Sequence, residues 1–205
     1  MKQLLIFGAG GHGKVVADAA QQAGWSEIIF FDDRWPELSA LSCWPVAGGK
    51  QALAGAWLAG GSVAVAVGDN RRRLLLLESF AAQGAPLATV FHPSAAVSRY
   101  ATIGAGSVVF ATAAVNADAT LGTGVIVNTG ASVDHDCILG DGVHISPGAR
   151  LAGQVRVGNE TWIGIGAVIR DGITIGRGCM VAAGAVIIND VADGCRVAGN
   201  PGRVF

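Results

Sequence analysis

The sequence predicts an α/β domain with a small, Rossmann-like parallel sheet over residues 1–90, followed by an all-β parallel β-helix over residues 91–205. Three observations predict it. Short apolar runs alternate with helix-patterned runs in the first part. A six-residue period of large apolar side chains then runs from Phe91 to Ile187 without a slip in register. Glycine, at 31 of 205 residues, is too abundant for an ordinary helical domain and does not follow collagen's three-residue period.

"LLIF" (4–7) is a short buried strand, and "GAGGHG" (8–13) follows it. "KVVADAAQQAG" has a helical pattern, with Gly24 as its stop. "EIIFF" (27–31) is a second strand that ends at Asp32 and Asp33, and "SVAVAV" (62–67) is a third, followed by "GDN" (68–70). "RRRLLLLESFAAQG" (71–84) is a second helix, and "LATVFHP" (87–93) leads into the periodic segment. Strands alternating with helices favour a parallel sheet.

In the second domain, a small or β-branched residue comes four places after each large one, as at Ala95, Ala101, Ser107 and Ala113. Glycine recurs at fixed offsets, as in "IGAG", "LGDG" and "IGRG". A helix of period 3.6 cannot hold a six-residue period on one face, and a flat strand of period 2 needs no regular glycines. A parallel β-helix meets both demands: three hexads make one triangular coil, large residues point inward, and glycine, Asn or Asp takes the corners.

Gly8-x-Gly10-x-x-Gly13 falls directly after a strand and opens a helix, where backbone N–H groups can bind phosphate. Asp32 ends the next strand about twenty residues on, where an acid can bind a ribose hydroxyl. Yet about 90 residues hold only half of a doubly wound dinucleotide fold, and His12 stands where a pyrophosphate needs close backbone approach. A mononucleotide carrying a sugar fits better. The plainer alternative is a tight strand-to-helix turn beside two solvated acids.

Within the hexads, "NTGASVDHDCILGDGVH" (128–144) contains an acid–His–acid triplet. Val133 is inward, so His135 projects outward between Asp134 and Asp136. A carboxylate beside an imidazole fixes its tautomer and raises its basicity, which suits a general base near neutral pH. One coil is eighteen residues, so Gly153 stacks over His135. It either leaves room for a ligand and a backbone N–H for an oxyanion, or serves only as a turn residue. His144 lies half a coil away, on another face of the same chain. In a trimer the two faces can meet.

Charged residues make up only 14% and the net charge is −1, so neither a nucleic-acid nor a membrane-surface partner is expected. "MKQLLIFGAGGHG" is too poor in apolar residues for a signal peptide, and no apolar run approaches a membrane span, so a cytoplasmic protein without membrane insertion is expected. Cys43, Cys137, Cys179 and Cys195 form no CxxC pair and match no zinc ribbon.

"IFGAGGHGKVV", "FFDD", "VGDN", the hexads, "NTGASVDHDC", "SPGARLAGQV" and "VAGNPGRV" together resemble the PglD-like and NeuD-like family of sugar O/N-acyltransferases. That family comprises bacterial nucleotide-sugar N-acetyltransferases and sialic acid O-acetyltransferases. The resemblance covers essentially the whole chain. It implies a left-handed β-helix, a homotrimer with active sites between adjacent subunits, and acetyl-CoA as co-substrate without a metal. His135 matches the general base and Asp136 the acid that raises its basicity, where family members often carry Glu. His144 matches a residue at the thioester, and Ile165 and Ala183 match backbone contacts to the pantetheine arm. Gly10, Gly11, His12, Asp32, Asp33 and Gly68 match the nucleotide-sugar site, to which Asn70 is added from "GDN".

The expected reaction is acetyl transfer to the amine of a UDP-linked 4-amino-4,6-dideoxy sugar in bacterial glycan biosynthesis. The alternative is O-acetylation of sialic acid or a related sugar on the same scaffold. A γ-type carbonic anhydrase needs a tight three-histidine cluster, which the spacing of His135 and His144 does not offer. A non-catalytic trimeric scaffold leaves the intact triplet unexplained. Arg150, Arg156, Arg170 and Arg177 are equally suited to CoA phosphates and to a solvated surface.

Overall fold

The computed structural model describes residues 2–205. They form two compact units, one ending at Pro93 and one spanning Ser94–Phe205.

In the first unit, strand β1 (Gln3–Phe7) is followed by helix α1 (Gly11–Gln22) and strand β2 (Glu27–Phe31). A two-residue hairpin, β3 (Ala40–Leu41) and β4 (Trp44–Pro45), leads to helix α2 (Lys50–Leu58). Strand β5 (Ser62–Val65) and helix α3 (Asn70–Ala82) complete it. The sheet order is β2-β1-β5, and β1 pairs in parallel with both neighbours. Leu5, Phe7, Val63 and Val65 meet Leu53, Trp57, Leu77 and Phe80 of the helices in one apolar cluster. Phe7 and Phe80 pack edge to face at 5.6 Å. The hairpin and α2 have no counterpart in the sequence-based expectation. "KQALAGAWL" buries only Leu53 and Trp57, so its period is too faint to read.

Gly13 shows why the loop before α1 has its spacing. A Cβ at this position would run into the Gly8 carbonyl and the Phe30 ring, so only glycine lets α1 sit this close to the sheet.

The second unit is a parallel β-helix of two-residue strands stacked at an eighteen-residue offset. On one face Val115 pairs with Val133, Val133 with Leu151, Leu151 with Ile169 and Ile169 with Ile187. A second face repeats Leu121, Leu139, Val157 and Ile175, and a third Val127, Ile145, Ile163 and Val181. These residues and the small ones between them form one continuous core. The series departs from expectation at its start. Phe91 is 40% exposed, and Val97 and Ile103 are only partly buried. An inward residue is covered by the coils on both sides of it, and within the β-helix the first coil is followed by a coil but preceded by none. Among the described residues no helix is long and apolar enough to cross a membrane.

Candidate active site

His135 stands at the corner that follows the strand Ser132–Val133. Its backbone is held on both sides. The Asp134 carboxylate accepts from the His135 N–H at 2.8 Å and from the Asn116 amide, one coil below, at 2.8 Å. The His135 carbonyl accepts from the Gln154 N–H at 2.9 Å. Asp136 turns the corner in the left-handed region at φ 58°, as do Asp118 and Gln154 in the coils before and after. The other two corners use glycine at most of the equivalent places. A non-glycine residue there costs on the order of 1 kcal/mol or more, so this corner bears in three successive coils strain that the others bear once each, at Thr112 and Glu160.

The turn brings Asp136 Oδ2 to 2.8 Å from His135 Nδ1. Here the shorter aspartate reaches the imidazole. A carboxylate only accepts, so the neutral ring keeps its proton on Nδ1 and its lone pair on Nε2. That hydrogen bond, with the charges of Asp134 and Asp136, raises the His135 pKa above 6.5. Asp134 is held below the usual carboxylate range, first by the Asn116 amide and then by the His135 N–H. Gly153 lies beside this ring: a Cβ there would stand 2.5 Å from His135 Cε1 and Nε2. The space glycine leaves is therefore taken by the imidazole itself, not kept open for a ligand.

His144 lies in a different sheet of the prism, as expected. It is buried, stacks on Trp162 at 4.9 Å, and its Nε2 is 3.2 Å from Asn128 Nδ2. The Thr129 N–H donates to Asn128 Oδ1 at 2.8 Å, which fixes the amide so that Nδ2 donates to the ring. Trp162 in turn donates to Ser146 Oγ at 2.7 Å. His144, Trp162, Ile165 and Ala183 line one apolar cleft of about 340 Å³ with Pro147 and Met180.

In the first unit the predicted residues divide into two groups. Gly10, Asp32 and Asp33 line a cleft of about 350 Å³ with Arg34 and Arg72. Both Asp32 oxygens are engaged: Oδ2 accepts from the Ala9 N–H at 2.8 Å, and Arg34 donates to both, at 2.8 and 2.9 Å. Arg34 also donates to the Ala9 carbonyl at 2.8 Å. The Arg34 guanidinium holds the Asp32 carboxyl far below its usual range. Asp33 Oδ1 accepts from the Lys50 N–H at 3.0 Å, at the start of α2. Gly11 opens α1 beside this cleft. The second group gathers around the buried Arg73, which donates to the carbonyls of Val67 and Gly68 at 3.1 and 3.2 Å and to Asn70 Oδ1 at 3.0 Å. Burial, with help from the Arg73 charge, pushes the His12 pKa down to about 4, so its ring is neutral near pH 7.

Sequence inspection missed Asn116, Asn128, Trp162, Arg34 and Arg73. The eighteen-residue offset carries a signal for two of them, since Asn116 stacks under Asp134 and Trp162 over His144. Among the described residues no group of three or more His, Cys, Asp or Glu side chains is placed to hold a metal ion.

A family model described as the PglD N-terminal domain matches residues 3–80, and one described as bacterial transferase hexapeptide (six repeats) matches residues 154–189. The chain is 35% identical over 126 residues to the UDP-N-acetylbacillosamine N-acetyltransferase of Bacillus subtilis (strain 168). That match covers 54% of this chain and 52% of the relative, so the chain spans about half the length of the curated relative it matches. Among solved structures, the acetyltransferase domain of PglB from Neisseria gonorrhoeae FA1090, in complex with acetyl coenzyme A, is 48% identical with a TM-score of 0.96. It is matched over 100% of this chain and 99% of that one. PerB from Caulobacter crescentus, in complex with CoA and GDP-perosamine, is 38% identical with a TM-score of 0.94, over 100% and 98% of the two chains. The α/β domain followed by a left-handed β-helix of about six turns is thus a fold shared over the full length.

Proposed function

Because this chain belongs to the PglD-like family of hexapeptide-repeat nucleotide-sugar acetyltransferases, we propose that it transfers an acetyl group from acetyl-CoA to the amine of a nucleotide-linked amino sugar. A UDP-linked 4-amino-4,6-dideoxy sugar is the acceptor we favour. The observation that carries this reading is the 2.8 Å contact between His135 Nδ1 and Asp136 Oδ2 on an exposed corner of the prism.

That contact leaves the Nε2 lone pair for the substrate. The sugar amine attacks the thioester carbonyl carbon while Nε2 takes one of its protons. The tetrahedral intermediate collapses, the C–S bond breaks, and the proton passes from Nε2 to the departing thiolate. Asp136 stabilises the imidazolium in between. A backbone N–H at Gly153 is the donor we assign to the oxyanion. No covalent enzyme intermediate is required. Holding two substrates in line is the larger part of the task, because thioester to amide runs downhill.

The acetyl-CoA site is the apolar cleft of His144, Ile165 and Ala183, which suits a pantetheine arm. It lies on another sheet of the prism from the His135 corner. A site that uses both draws them from two copies of the chain, and a homotrimer supplies three such sites. The nucleotide part of the acceptor goes to the glycine loop at Gly10 and Gly11 with Asp32, Asp33 and Gly68.

Release of free CoA thiol tests the reading. The panel contains UDP-4-amino-4,6-dideoxy sugars, GDP-linked amino sugars, UDP-N-acetylglucosamine as a non-amine control, and free sialic acid. Release with a nucleotide amino sugar and not with the control supports it. Release with sialic acid alone moves the protein to O-acetylation. No release with any acceptor overturns the enzymatic reading.

A further inference from the structure

The nucleotide half of the acceptor site can be read more closely, on the premise of the proposed function above. Two clefts of the first unit share Asp33 as a common wall. One, of about 350 Å³, is lined by Gly8 and Gly10 of the loop and sets Arg34 and Arg72 against Asp32 and Asp33. The other, of about 530 Å³, is lined by Trp35, Gly48, Gly49, Lys50 and Gln51. Trp35 is 47% exposed. Its ring lines the larger cleft with much of its surface open to a ligand.

The hydrogen bonds sort the polar groups between ligand and protein. Asp32 has both oxygens committed to Ala9 and Arg34, so it serves the loop. Arg34 spends its Nε and Nη2 groups on Asp32 and Ala9, which leaves the two N–H groups of Nη1 for an anion. Asp33 gives Oδ1 to the Lys50 N–H and keeps Oδ2 for a hydroxyl, at the junction of the two clefts. A cation, then a hydroxyl acceptor, then an aromatic face is the order of groups along a nucleoside diphosphate.

We propose that Arg34–Trp35 is the nucleotide-reading element of this chain. Trp35 stacks on the nucleobase in the larger cleft, Asp33 accepts from the ribose, and Arg34 takes the diphosphate. Asp32 is a positioning residue that aims Arg34, rather than the ribose ligand its place at the end of β2 suggests.

Calorimetric titration of the intact chain with UDP, GDP and inorganic pyrophosphate tests this. Trp35→Ala is expected to weaken the better nucleotide by roughly five- to a hundredfold, the range for loss of one base–aromatic stack, and to leave pyrophosphate unchanged. Trp35→Phe keeps nucleotide affinity within about threefold, because a stacking face remains. Arg34→Ala weakens nucleotide and pyrophosphate together, and Arg34→Lys restores part of both. Circular dichroism confirms that each variant is folded. Nucleotide affinity unchanged in Trp35→Ala overturns the proposal, and so does an equal loss for pyrophosphate. A wild-type chain that binds neither UDP nor GDP overturns the nucleotide reading itself. Acetyl transfer to a nucleotide amino sugar that survives Trp35→Ala with unchanged KM sinks this inference alone.

Discussion

The imidazole of His135 occupies the space that a side chain on Gly153 would need, with the missing Cβ only 2.5 Å from Cε1 and Nε2. The two residues are one coil apart, and Gln154 donates its N–H to the His135 carbonyl, so neither backbone can yield easily. Gly153→Ala is therefore expected to rotate the ring off its Asp136 contact while the prism stays intact. A displacement of about 1 Å at a reacting group costs on the order of 10²-fold in rate. Steady-state kinetics should show that loss in kcat, with the melting temperature within about 3 °C of wild type. Full activity in the alanine variant would count against His135 acting from this position.

On the proposed mechanism, Asp136 is expected to set the pH range of the reaction. A general base works when deprotonated, and the folded His135 has its pKa raised by the hydrogen bond to Asp136. The acid limb of kcat/KM in the wild type is thus expected on the alkaline side of that of an ordinary imidazole. Asp136→Asn removes the charge and weakens the hydrogen bond, so the limb moves to lower pH while the maximal rate falls by roughly 10-fold or more. His135→Ala lowers the rate by roughly 10²–10⁴ and abolishes the limb. The same raised pKa has a stability consequence: its contribution is present below the unfolded-state pKa and is lost as pH rises through the folded one. Because the His135 side chain is largely exposed, this contribution is small. A pH–rate profile that does not move in Asp136→Asn separates the carboxylate from the base.

Much of this was legible in the chain because a β-helix repeats one local rule. Each coil buries Val133, Leu151 or Ile169 in the same way, so one period read along the chain gives face, register and corner at once. His135 stood out because its triplet interrupts that rule. What stayed hidden depends on contacts between residues distant in sequence with no period to connect them. Arg34 reaches back across 25 residues to the Ala9 carbonyl, and nothing in "FFDDRW" states it. Asp32 looked like a ribose acid from its place after β2, and only the geometry reveals that Arg34 and Ala9 have taken its oxygens. Gly153 was legible as His135's neighbour, but which atom filled the gap was not.

Arg73 holds the turn that joins β5 to α3. Its guanidinium is buried and donates to Val67, Gly68 and Asn70. Arg73→Met fills the volume but leaves three acceptors without their donor, at about 1–3 kcal/mol for each buried group that finds no water. Denaturant unfolding should show a loss of about 3 kcal/mol or more, together with faster amide exchange over residues 66–73. The His12 pKa, held at about 4, should rise only slightly when the Arg73 charge is removed, because burial is its larger cause. Unchanged stability would show that water replaces the guanidinium without cost.

Ile163 tests the prism core without touching either cleft. It lies wholly inside, paired with Ile145 below and Val181 above. Ile163→Val removes one methylene and should cost about 0.5–1.5 kcal/mol. Ile163→Asp puts a carboxylate among apolar side chains with no partner in reach. The charged form is too costly to bury, so the group either takes up a proton or expels its coil from the stack. Each coil is hydrogen-bonded only to its immediate neighbours, so expulsion exposes Ile145 and Val181 as well. Circular dichroism and gel filtration at pH 8 should show a misfolded or aggregated chain for Ile163→Asp, and a native one for Ile163→Val. Recovery of the Asp variant at pH 4 would mean that protonation suffices to keep the coil in place.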